Sequence, residues 1–355
     1  MIAFDGTRLH QDSVLALGAF DRDNEYLVLG MKKIDASTGV EISAVMSSMM
    51  EENDGLVDNT RCFMTDRCPA QVRANQLLIE KINLKRNGTN LCFQVPCYMH
   101  TVLRGDASSN DELSDEAKSI QNALKMSFGG RKQDNWRRNC LNAALKAAQG
   151  GEPSEFVSDI GSRFKVNEQN GKTLLIRENE VEDVIKASSK TAIHHRLGAA
   201  MDDDSWPRLR LELQVPVVIW NAILGEFHSK ISQKLTYSEA KAAFRRALNQ
   251  VEDIQCAQDQ FGRALIIAGI REYGEDSATP KALSLLEPLW QYTAENTPDV
   301  ANSIKATFRA ACEAVKKKFV KDFRLSADLP IPDDTVLWWT NRRVVSYTIL
   351  IFEQY

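Results

Sequence analysis

Two aspartates interrupt short apolar runs near the start of the chain. Asp5 lies in IAFDGT, Ile2 to Thr7, and Asp66 directly follows RCFMT, Arg61 to Thr65. Two acids held together repel, and burial disfavours their ionised form, unless a cation neutralises them. A hard divalent cation such as Mg²⁺ or Mn²⁺ suits an all-oxygen site. A pair of such ions about 3.5–4 Å apart can activate a water or hydroxyl and stabilise the leaving oxygen of a phosphodiester. Asp5 and Asp66 are therefore the candidate metal ligands and catalytic acids. The plain structural alternative makes Asp5-Gly6-Thr7 a strand-ending turn and Asp66 a helix N-cap ahead of Pro69. No spacing pattern marks a third acid.

Other residue types offer less. Cys97-Tyr-Met-His100 supplies one thiol and one imidazole, whereas a zinc site takes about four ligands, so no zinc is expected and a packed structural pair is the simpler reading. His194, His195 and His228 are isolated. Two basic stretches fit a nucleic-acid backbone. GGRKQDNWRR places Arg131, Lys132, Arg137 and Arg138 around Trp136. Such a cluster can neutralise phosphates and stack a base. AVKKKFVKDFR, Ala314 to Arg324, carries five further cations, and for either stretch a solvated helix face is the alternative.

The elements that must position these residues follow from periodicity. Ile2–Phe4, Val14–Phe20 and Tyr26–Met31 read as strands, with a polar turn at Asp21 to Asn24. Residues 38–53 carry a helical period. Arg61–Thr65 is a short buried strand, Pro69 opens a helix in its favoured first-turn position, and Leu91–Val95 is a fifth strand. Three sequential antiparallel strands followed by α-β-α-β describe an RNase H-like mixed sheet. In that sheet the first and fourth strands are neighbours, which would bring Asp5 and Asp66 to one edge. Sugar kinases and actin-like ATPases share this sheet, but their acid and glycine are separated by a residue and here Asp5 and Gly6 are adjacent.

After residue 104 the character changes. GDASSNDELSDEAKS reads as an acidic linker, and roughly 115–325 is helical. Thr236-Tyr-Ser-Glu239 has capping-box spacing. The expected organisation is a sheet domain over 1–104, an all-α insertion over 105–325, and a C-terminal segment, 326–355, returning to the core. The 355 residues are 43% hydrophobic and 26% charged with net charge −4, so a nucleic-acid contact must come from local patches. Seven scattered cysteines suggest reduced thiols in an intracellular compartment. No stretch reaches the roughly 20 apolar residues of a membrane span, and no signal peptide is legible.

Together these pieces resemble the hAT superfamily of DNA transposases. The first acid of that family matches Asp5 in FDGT. Its T-D motif matches Thr65-Asp66, and its C-x-x-H motif matches Cys97 and His100 in PCYMHTVL. GSRFKVN, Gly161 to Asn167, and LGEFHSKISQKL, Leu224 to Leu235, are similar to stretches within the family's helical insertion. Two departures stand out: the family's N-terminal BED-type finger and its third acid, C-terminal to the insertion, have no counterpart. Glu226 and Glu353 are poor substitutes. The resemblance implies a transposase-derived, DNA-binding protein of the nucleus with an incomplete polynucleotidyl-transfer site. The alternatives are an active divalent-metal nuclease and a non-enzymatic scaffold. A homo-oligomer is compatible with the sequence.

Overall fold

The computed structural model describes residues 2–9, 12–20, 26–35, 38–65, 68–87, 91–125, 166–187, 198–272, 282–327, 329 and 336–338. The chain divides into two compact units. One comprises residues 1–102, 228–245 and 319–355, and the other 103–227 and 246–318.

The first unit is built on a five-stranded sheet: β1 (Ile2–Leu9), β2 (Asp12–Phe20), β3 (Tyr26–Ile34), β4 (Cys62–Thr65) and β5 (Phe93–Pro96), in the order β3-β2-β1-β4-β5. β1, β2 and β3 are antiparallel neighbours, while β4 runs parallel to β1 and β5 parallel to β4. Alternation makes one face of β2 apolar. Leu15, Leu17 and Ala19 join Ile2, Ile34 and Phe63 in the core. Helices α1 (Gly39–Glu51) and α3 (Pro69–Lys85) supply the rest of that core, through Met46, Met49 and Met50 and through Ala74, Leu78 and Ile82. Their first turns approach closely. A Cβ on Gly39 would come within 2.9 Å of the Ala70 carbonyl oxygen and within 2.7 Å of the Arg73 Cβ, so only glycine fits. A single turn, α2 (Leu56–Asn59), leads into β4.

The first strand, expected to end at Asp5, runs further, and the alternative strand-ending turn there does not form. β1 runs on to Leu9, and Asp5 sits inside it opposite Ala16. The hairpin register continues to Leu9 and Asp12, which keeps Gly6 and Thr7 in the ladder. The C-terminal segment falls in the same compact unit as the five-stranded sheet, and within it β7 (Val336–Trp338) pairs antiparallel with β6 (Lys234–Thr236) in a separate two-stranded sheet.

The acidic stretch after residue 104 is no linker. Residues 98–111 form one helix, α4, and 115–125 another, α5. Their polar groups are satisfied locally and from afar. The Ser109 hydroxyl and Asn110 amide each donate to the Asp106 carbonyl at 2.7 Å, and buried Glu212 accepts from the Ser114 amide at 2.5 Å. Further helices among the described residues are α6 (Val166–Ile176), α7 (Glu178–Ala187), α8 (Trp206–Glu212), α9 (Val215–Ile219), α10 (Gly225–Ile231), α11 (Tyr237–Cys256), α12 (Gln260–Glu272), α13 (Ala282–Asn296) and α14 (Pro298–Ala327). Residues 212–226, within the stretch expected to be helical, do not form one continuous helix. Pro216 lacks an amide proton and must sit in the first turn of a new helix, and Trp220–Leu224 is a π-helical turn. The second unit is wholly helical in its described part. Phe261 packs edge-on against Trp290 and Phe308 in its interior.

Candidate functional site at the rim of the sheet

β1 and β4 are adjacent parallel strands, with Ile2 opposite Phe63. Phe63 stands 61 positions after Ile2, and Asp66 stands 61 positions after Asp5. Asp66 itself and the side chain of Asp5 lie outside the described residues. β4 ends at Thr65, opposite Pro96, the last residue of β5. Asp66 is not the cap of the following helix: the N-cap of α3 is Cys68, which makes no side-chain capping bond.

The sheet-facing stripe of α3 changes character along its length. Leu78 and Ile82 are apolar, but one and two turns earlier come Asn75 and Gln71, 0% and 6% exposed. Both atoms of the Asn75 carboxamide and the Oε1 of Gln71 have no hydrogen-bond partner among the described residues. Such groups are rare in folded proteins, since each costs about 1–3 kcal/mol. They sit on the turns of α3 nearest to β4 in sequence.

Cys97 falls between β5 and α4, and His100 lies in the first turn of α4. Cys97 is buried, and its carbonyl oxygen accepts from the Thr101 amide at 3.1 Å. The Thr101 hydroxyl donates to the carboxylate of Asp322 at 2.7 Å, a fully buried contact in the sheet unit. Asp322 is the buried carboxylate among the described residues of this unit. The sequence masks it in KKKFVKDFR, which reads as a charged face. Its signal is positional: Cys312, Val315, Phe319 and Asp322 recur at helical spacing, and all four are buried. Tyr98 lies beside Phe244, ring centroids 5.0 Å apart, and Phe319 and Phe323 pack edge-on against the same ring.

Cys62, Cys92, Cys97 and Cys312 are buried, whereas Cys68 and Cys256 are exposed. Burial pushes Cys62 up to about 11 and Cys92 and Cys312 up to about 12, so none is a thiolate near neutral pH. Among the described residues no group of three or more His, Cys, Asp or Glu could hold a metal ion. The basic cluster of Arg131, Lys132, Trp136, Arg137 and Arg138 lies outside the described residues. On α14, Lys317 and Lys318 are exposed, while Lys316 donates to Gln255 at 3.1 Å and pairs with Glu252 at 3.4 Å. No protein-family model matches the chain, and no curated protein or solved structure matches it.

Proposed function

We propose that the chain is a transposase-derived, hAT-like DNA-binding protein whose RNase H-like sheet carries an incomplete metal-dependent polynucleotidyl-transfer site. The observation that carries this reading is the parallel pairing of β1 with β4 in a register whose offset equals the separation of Asp5 and Asp66. Residues matched across adjacent parallel strands project from the same face, so this offset favours a shared site for the two carboxylates. The strand order β3-β2-β1-β4-β5 agrees with the same sheet. Asp5 and Asp66 would hold Mg²⁺ or Mn²⁺, a hard cation matched to carboxylate oxygens. When bound, that ion would polarise a phosphodiester and activate the attacking oxygen. Arg131, Lys132, Trp136, Arg137 and Arg138 would hold the DNA backbone.

A second reading, an active nuclease, is favoured by Asp322. It is a buried acid late in the chain, bonded to the first turn of α4. It is the described side chain to test as a third acid.

The test uses the full chain with plasmid DNA and Mn²⁺. The incomplete site predicts salt-sensitive DNA binding without nicking. Nicking abolished by Asp66→Ala and reduced at least a hundredfold by Asp322→Asn would establish the active enzyme. Absence of any DNA binding would overturn both in favour of a scaffold.

A further inference from the structure

The outer face of α14 concentrates positive charge. Lys317, Lys321 and Arg324 recur at i, i+4 and i+7, so they share one face of the helix, and Lys318 flanks them. All four are exposed, while Cys312, Val315, Phe319 and Asp322 occupy the buried face of the same helix. Among the described residues none of the four has a carboxylate partner. Solvated faces ordinarily interleave both signs. Between Ala314 and Leu325 the one acid is Asp322, which is buried and accepts from the Thr101 hydroxyl. Lys316 differs, because Glu252 at 3.4 Å compensates its charge. From α11 the Arg245 guanidinium lies 5.9 Å from the centre of the Phe323 ring and adds a further cation.

The chemistry of this face selects its occupant. Lys317 and Arg324 are about 10.5 Å apart along the helix axis. Phosphates of one DNA strand recur about every 3.4 Å along the duplex, so the span matches about three of them. Lysine is a compact point charge that suits a phosphate, whereas base edges are read by bidentate Arg, Asn or Gln. An anionic membrane surface would need an apolar flank, and on α14 only Leu325, among the described residues, is a large exposed hydrophobic. We propose that this face is a second DNA contact, a sequence-independent clamp on the duplex phosphate backbone. Its occupant rests on the DNA-binding reading above, but its residues are supplied by neither the 131–138 cluster nor the sheet rim.

Fluorescence anisotropy of the full chain with two short duplexes of unrelated sequence, titrated across salt, tests it. Lys317→Gln, Lys321→Gln and Arg324→Gln together are expected to lower the slope of log affinity against log salt by about 2.7, at about 0.9 per phosphate contact, equally for both duplexes. Lys316→Gln, whose charge is already paired, leaves the slope unchanged. The triple variant loses no ion pair, so its urea midpoint matches the wild type and its binding reports on the contact. DNA binding by the wild type with an unchanged slope in the triple variant overturns the clamp and leaves the DNA-binding reading standing. A loss as large in Lys316→Gln would show that only overall charge matters, and a loss confined to one duplex would show base readout; either overturns the clamp. A wild-type chain that binds no DNA, with or without affinity for phosphatidylserine vesicles, overturns both.

Discussion

At the scale of single residues, the sheet unit contains polar groups its packing does not require. Thr101 and Asp322 are buried yet bonded to each other. Asn75 is buried, and among the described residues neither end of its carboxamide has a partner. Leucine has nearly the same volume and needs no partner. Asn75→Leu is therefore expected to raise stability by about 1–3 kcal/mol, seen as a higher urea midpoint at unchanged slope. A lower midpoint would show that water or a bound ion completes the carboxamide in solution.

At the scale of elements, caps and breakers decide where helices begin. The Thr236 hydroxyl accepts from the Glu239 amide at 3.2 Å, and the Glu239 carboxylate accepts from the Thr236 amide at 2.7 Å, a closed reciprocal box. Bonds to that carboxylate from the Thr236 amide, and also from the Thr236 hydroxyl, hold the Glu239 carboxyl below the usual carboxylate range. Its folded pKa is depressed, so the contribution is present above the unfolded value and is lost as pH falls through the folded one. Thr236→Ala removes the hydroxyl acceptor and is expected to lower stability by about 1 kcal/mol, measured by urea denaturation at pH 7. The same logic accounts for the α8–α9–α10 region. Its apolar run suggests one helix, but Pro216 and the π-helical turn at Trp220–Leu224 divide it. Gly171 belongs to this packing, since a Cβ there would meet a Val217 methyl at 2.6 Å.

At the scale of the whole molecule, a net charge of −4 gives no general attraction for DNA, so any contact with it must be local. Reversing Arg131 and Lys132 to glutamate is expected to weaken DNA binding and reduce the slope of log affinity against log salt by about two, read from anisotropy titrations. An unchanged slope would remove that cluster from the interface. Among the described residues no helix is long and apolar enough to cross a membrane. Both compact units are assembled from separated stretches, and this limited what the sequence could reveal. Local signals named β1 to β5, α1, α3 and the capping box at Thr236, because alternation, helical period and caps act within a few residues. The same signals misread residues 105–119 as a linker, since the acceptor that meets Ser114 is Glu212, 98 positions away. They also hid Asp322, whose partner Thr101 is 221 positions distant. By itself the sequence determined which residues could carry acid, base or cation chemistry and the elements that bear them. Tertiary structure alone decided that β1 lies beside β4, that α4 continues through the acidic stretch, and that β7 joins β6, because pairing and burial depend on groups far apart along the chain.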